Sequence, residues 1–158
     1  MPINLSEDPS KVNDFLLHNH IGVVSTSGPD NSPHGAAIYF VTDADLNFFF
    51  ITKENTEKHN NLQQNPKAAL AVYDAKTQTT LQVVGKASLD NDPQNFMNVF
   101  TQILKISMDS SEGANPPVSK LRAGEYRLYK LSPEKIRMAE YTKPERGDLE
   151  DIFGIINF

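Results

Sequence analysis

Cysteine is absent from the 158 residues, and so is tryptophan. Without cysteine the chain has no disulfide, no thiolate metal site and no cysteine nucleophile, which accords with a reducing compartment. No apolar run approaches the ~20 residues of a membrane span, and the opening MPINLSEDPSK lacks a basic segment leading into an apolar one. The expectation is a cytoplasmic protein with no membrane partner. An excess of basic charge is missing too. With 15 Lys and Arg against 20 Asp and Glu, the net charge of −5 offers no footprint for nucleic acid. A small molecule or another protein is the expected partner. There is no internal repeat and no low-complexity segment.

What is present fits one domain, long enough to bury roughly 70% of its unfolded surface. Residues 10–19 predict a short helix capped by Ser10, with Val12, Phe15 and Leu16 on one face. Ile21 to Ser27 and His34 to Val41 read as a hairpin around the turn residues Gly28-Pro29-Asp30-Asn31, and Asp43-Ala44-Asp45 turns again. Thr79 to Leu89 alternates as a long strand. Asp92-Pro93 then opens a helix whose Phe96, Val99, Phe100, Ile103 and Leu104 repeat at helical spacing as core. Residues 108–117 predict a flexible loop. Two further strands, around Glu125 to Leu131 and Lys135 to Tyr141, are expected on either side of Ser132-Pro133. Hairpin connections predict a mainly β, α+β architecture: an antiparallel barrel of six or seven strands with helices packed outside. Residues 1–142 form that domain. Residues 143–158 form a tail whose apolar end, Ile152 to Phe158, is expected to pack on its own barrel or on a partner subunit.

The run Phe48 to Leu70, FFFITKENTEKHNNLQQNPKAAL, is the most informative. Phe48 to Ile51 reads as a strand covered on both faces, left at Thr52. Asn55 or Thr56 can cap a short helix, Leu62 is its apolar contact, and Asn65-Pro66 ends it before a strand from Ala68 to Tyr73. Lys58 falls in the first turn, where a cation opposes the helix dipole. A bound anion would explain it.

Strand, capped helix and Asn-Pro in this order closely resemble the pyridoxamine 5′-phosphate oxidase superfamily, the FMN-binding split barrels. The matching steps are Ile51-Thr52, Thr56-Glu57-Lys58 and Asn65-Pro66, with GVVSTSGPDNSPHGAAIYFV similar to the family's opening hairpin and LQVVGKASL to its later strand. About residues 10 to 140 are covered. The resemblance implies that Ala36 to Val41, namely Ala36, Ala37, Ile38, Tyr39 and Val41, runs along the isoalloxazine edge with backbone groups facing it. Ile51 and Thr52 would flank the ring and ribityl chain, and Thr56 and Lys58 would bind the phosphate. A hydroxyl, an ammonium and helix N–H groups at one point suit that anion on physical grounds as well. Thr80 stands where the oxidases have a flavin-contacting Gln, and Gln82 is two residues on along the same face. The resemblance further implies a homodimer with FMN at the subunit interface.

Several positions depart from the oxidases. Their second-strand Arg and Lys are Ala36 and Val41 here, the Arg of their phosphate step is Glu57, and their terminal Trp and Arg-Leu-x-Pro are missing. Loss of these groups argues against a phosphorylated vitamin B6 substrate. The expected function is an FMN-dependent oxidoreductase acting on a small molecule, with no catalytic side chain identified. The alternatives are a non-catalytic flavin-binding, stress-associated protein, or the same fold holding a deazaflavin or haem. Haem would need an axial ligand, for which His34 or His59 are the nearby candidates. His18 and His20 read as structural, and no residue pattern marks a metal site.

Overall fold

The computed structural model describes residues 5, 8–110, 126–141 and 153–158. Three helices and eight strands are present among them: α1 (Ser10–His18), β1 (Ile21–Ser27), β2 (Pro33–Tyr39), β3 (Val41–Thr42), β4 (Phe48–Lys53), α2 (Glu57–Gln64), β5 (Lys67–Asp74), β6 (Thr79–Asp90), α3 (Pro93–Ser110), β7 (Tyr126–Glu140) and β8 (Phe153–Asn157). All strand pairs are antiparallel.

The strand order is β2-β1-β5-β6-β7-β4-β3. β2 and β3 stand at opposite ends of this order, yet only Phe40 separates them in the chain. The sheet must therefore curl until its ends meet, giving a split barrel of α+β class. Phe40 itself is fully buried, donates its N–H to the His20 carbonyl at 2.9 Å and packs against Phe48. Inside the barrel, Val24, Phe48, Phe50, Leu70, Leu81, Val83, Tyr129, Leu131 and Ile136 form the main core. α3 covers the outside of β3, β4 and β7 through Val99 and Ile103, joined by Phe96 and Phe100, which pack on Tyr126. Phe49 and Ile51 lie under this helix, so β4 is covered on both faces as its apolar run requires.

Several expectations need correction. Ser10 is the first helical residue rather than the cap, and its N–H donates to the Asp8 carboxylate at 3.1 Å. His34 to Val41 is broken at Phe40, because the chain passes there from one edge of the sheet to the other. The two strands expected around Ser132-Pro133 are one, β7. Proline is accommodated because the ladder shifts register between Val84 and Gly85, and Gly85 leaves room there: a Cβ would collide with the Ser132 carbonyl and lie 2.9 Å from Pro133 Cα. Met108 to Ser110 belong to α3 rather than to a loop, and the rest of that loop lies outside the described residues. The apolar terminus adds an eighth strand: β8 pairs with β7 of its own chain, with Phe153 opposite Ala139.

Candidate functional site

β4 pairs with β3 only through Phe49 and Phe48, and beyond them it has β7 alone as a neighbour. β2 pairs with β1 alone. The outer edge of β2 and the free edge of β4 therefore face one another across the split, where Cα atoms of the two strands come within 8 Å. α2 stands at this opening.

α2 is too polar to dock by hydrophobic burial. Of its side chains only Leu62 is a buried apolar one, so its seat on the barrel is built from hydrogen bonds. Asn61 donates to Thr26 at 3.1 Å, and Asn65, at the C-cap, to Ser27 at 2.9 Å. Gln63 Nε2 donates to the Tyr129 hydroxyl at 3.0 Å, and that hydroxyl lies 2.7 Å from His59 Nδ1. Tyr129 is buried and stacked on Phe50 at 5.5 Å, so these polar contacts reach into the core. Desolvation pushes the Tyr129 phenol above its ordinary pKa, opposed by the Gln63 hydrogen bond and the nearby Arg127 charge.

Thr56 is the N-cap. Its Oγ1 accepts the His59 N–H at 3.4 Å, donates to the Lys53 carbonyl at 2.9 Å and lies 3.0 Å from Thr52 Oγ1. With the Thr56 hydrogen committed to Lys53, the Thr52 hydroxyl donates to Thr56, and the two threonines fix the turn between β4 and α2. Neither has a hydrogen left for a ligand in this arrangement. The N–H groups of Glu57 and Lys58 have no partner among the described residues. The Lys58 ammonium has none either, and partial burial lowers its pKa through desolvation. A partly desolvated cation and two open amides thus occupy one helix N-terminus. Glu57 adds a carboxylate to this turn, 3.6 Å from His34 Nε2.

The remaining expected site residues divide by face. Ala36 and Ile38 point inward, Ile38 and Val41 being buried. Ala37 and Tyr39 point outward beside the open edge of β2, and Tyr39 and Ile51 touch the α3 cluster. Thr80 and Gln82 lie on the outer face of β6, opposite Tyr73 and Ala71. Thr52 is level with Arg127 and Gln82 with Arg137. Those two arginines are ten residues apart on β7, about 33 Å of extended strand, so Gln82 does not meet the α2 N-terminus of its own chain.

Arg127, the cross-strand partner of Thr52 on the barrel-mouth side, is ion-paired with Glu54. Neither Arg127 nor Tyr129 was expected from the sequence, and His59, considered there as an axial haem ligand, lies against the Tyr129 hydroxyl. An amide-rich run, Asn60 to Asn65, was the available signal that α2 docks through hydrogen bonds. Among the described residues, surface hollows of about 340, 300 and 360 Å³ lie at α1, at the start of α3 and beside β3.

A curled antiparallel barrel, split beside a helix N-terminus that carries Lys58 and two open amides, defines the split-barrel class of fold. A model of the pyridoxamine 5′-phosphate oxidase family matches residues 9–139. The chain belongs to that family. No curated protein matches it by sequence. Solved structures share the fold at low identity. General stress protein 26 from Bacillus anthracis is 19% identical with a TM-score of 0.60, over 82% of this chain and 91% of that one. A pyridoxamine 5′-phosphate oxidase-related, FMN-binding protein from Nostoc punctiforme is 14% identical with a TM-score of 0.61, over 94% and 95%. An F420 reductase is 21% identical with a TM-score of 0.62, over 78% and 94%.

Proposed function

We propose that the protein binds FMN, with the phosphate at the N-terminus of α2 and the ring along the open edge of β2. The carrying observation is Lys58, an ammonium held partly out of water, without a counter-ion among the described residues, at the helix end that disfavours cations. Open Glu57 and Lys58 amides supply hydrogen bonds, and in this reading Ala36 to Val41 and Ile51 line the ring's side of the split. Bound FMN would provide hydride chemistry at its N5. The chain's task is then binding, orientation and exclusion of water.

Two copies complete the site in this reading. The outer face of β2, β1, β5 and β6 carries exposed Ile21, Val23, Tyr73 and Val84, from 45% to 56% accessible, with Thr80 and Gln82 among them. Pairing these faces in a homodimer covers the apolar surface and brings Thr80 and Gln82 to the partner's flavin, which they do not reach in their own chain. The activity proposed is oxidoreduction of a small molecule, with nicotinamide nucleotide or oxygen as the second partner. A deazaflavin is the second reading, favoured by the likeness to an F420 reductase and by a phosphate site that serves either ring.

An absorption spectrum of the purified protein, followed by titration of FMN and of a deazaflavin into stripped protein, tests the proposal. Flavin bands or saturable FMN quenching are expected. Preference for the deazaflavin selects the second reading, and a Soret band or no binding refutes both. NAD(P)H oxidation above the free-FMN rate then distinguishes an enzyme from a flavin carrier.

A further inference from the structure

We infer that His59 donates its Nε2–H to the phosphate of the bound ligand, and that Tyr129 is the positioning residue which makes it a donor. This rests on the reading of the α2 N-terminus as the phosphate site.

Few side-chain donors are left in the first turn. Thr56 spends its hydroxyl hydrogen on the Lys53 carbonyl and Thr52 spends its own on Thr56, so the hydroxyl expected to bind phosphate is a cap. Lys58 and His59 are the side-chain donors that remain. The ring of His59 is not free to choose its tautomer. Tyr129 accepts from Gln63, and a second accepted bond from His59 would leave the phenol hydrogen without an acceptor in a buried position. The phenol hydrogen therefore goes to His59 Nδ1, and the neutral imidazole carries its proton on Nε2.

The two ring nitrogens point to opposite sides of the imidazole, so with Nδ1 aimed into the barrel at Tyr129, Nε2 faces away from the core. It has no partner among the described residues and is not sealed from solvent. The ring is further held edge-on to Tyr129, with centroids 5.8 Å apart. A buried aromatic, itself stacked on Phe50, thus holds an N–H donor in the same first turn of α2 that carries Lys58. An unconstrained surface histidine would have no such support.

The test compares FMN with riboflavin, which lacks the phosphate, by fluorescence titration of the stripped full-length protein. His59→Asn keeps an acceptor for the Tyr129 hydroxyl and removes the outer donor. It should weaken FMN about tenfold and riboflavin by less than about twofold. His59→Gln sets an amide N–H near the lost Nε2–H and should recover most of the loss. Tyr129→Phe keeps the ring and should lower the FMN preference in the same direction by a smaller factor. Imidazole nitrogen NMR of the unliganded protein should show Nδ1 unprotonated, a signature that a purely structural role for Tyr129 as donor to some other group would not give. If Nδ1 carries the proton, or if His59→Asn affects both ligands alike while Lys58→Ala still weakens FMN selectively, His59 only anchors α2 and the inference is overturned. If Lys58→Ala is silent too, the phosphate site itself is refuted, and the role of His59 with it.

Discussion

Lys58 is held at a cost that a ligand would offset. Its pKa is lowered, so the native state gives up the Lys58 proton more readily than the unfolded chain, whose lysines titrate near 10.4. The stability linked to it is present above that pH and lost as pH falls through the lower native value, leaving a penalty at neutral pH. Lys58→Met should therefore raise the melting temperature of the flavin-free protein while weakening FMN by about 1.5–3 kcal/mol, the worth of a charge-assisted bond. Calorimetry and titration on the same preparation check both halves. Tyr129 has the opposite sign. Its raised pKa gives stability that is complete below the unfolded value near 10 and is lost as pH rises through the native one. Denaturant midpoints measured at increasingly alkaline pH should fall less steeply in Tyr129→Phe than in the wild type. Identical slopes would mean that the phenol is not desolvated.

The short elements divide by what holds them. α3 docks by an apolar stripe that is plain in the sequence at Phe96, Val99, Phe100 and Ile103. α2 docks by Asn61, Gln63, His59 and Thr56, whose partners Thr26, Tyr129 and Thr52 are scattered over three strands. Hydrophobic periodicity locates such a helix but is blind to its seat, because side-chain hydrogen bonds across 35 or 66 residues leave no local pattern. The same limit hid the union of the last two expected strands. Ser132-Pro133 is a sound turn signal, overridden by a bulge opposite Gly85 that spares the proline a ladder bond. Gly85→Ala should cost about 2–4 kcal/mol, since the obstacle is backbone and cannot swing away. A loss below about 0.5 kcal/mol in chemical denaturation would show that the bulge tolerates a side chain.

The proposed homodimer rests on surface and reach together. The apolar outer face of β1 and β5 is wider than isolated exposed residues would make it, and the strand carrying Gln82 stands too far from Lys58 in one copy. Val23, 45% exposed at the middle of that face, makes the sharpest test. In a monomer Val23→Glu would be nearly neutral, whereas in the proposed dimer it buries an unpaired carboxylate. Sedimentation should show a dimer for the wild type and a monomer for Val23→Glu, with unchanged circular dichroism and weaker FMN binding. A wild-type monomer at micromolar concentration, or a variant that binds FMN fully, would remove the partner from the site.

The antiparallel barrel, the buried β4, a cap at Asn55 or Thr56 and the cation at Lys58 were legible in the sequence because each is a local matter: strand alternation, a polar side chain before a helix, a charge set against a dipole. Family resemblance added an expectation of which residues would border a ligand. Closure of the barrel through Phe40, the seat of α2, the commitment of both threonine hydroxyls and the Tyr129–His59 pair were decided only by the tertiary structure. Each depends on which distant residues the strand register brings opposite one another. The short-range pattern of a chain does not encode that register; the packing of the whole barrel does.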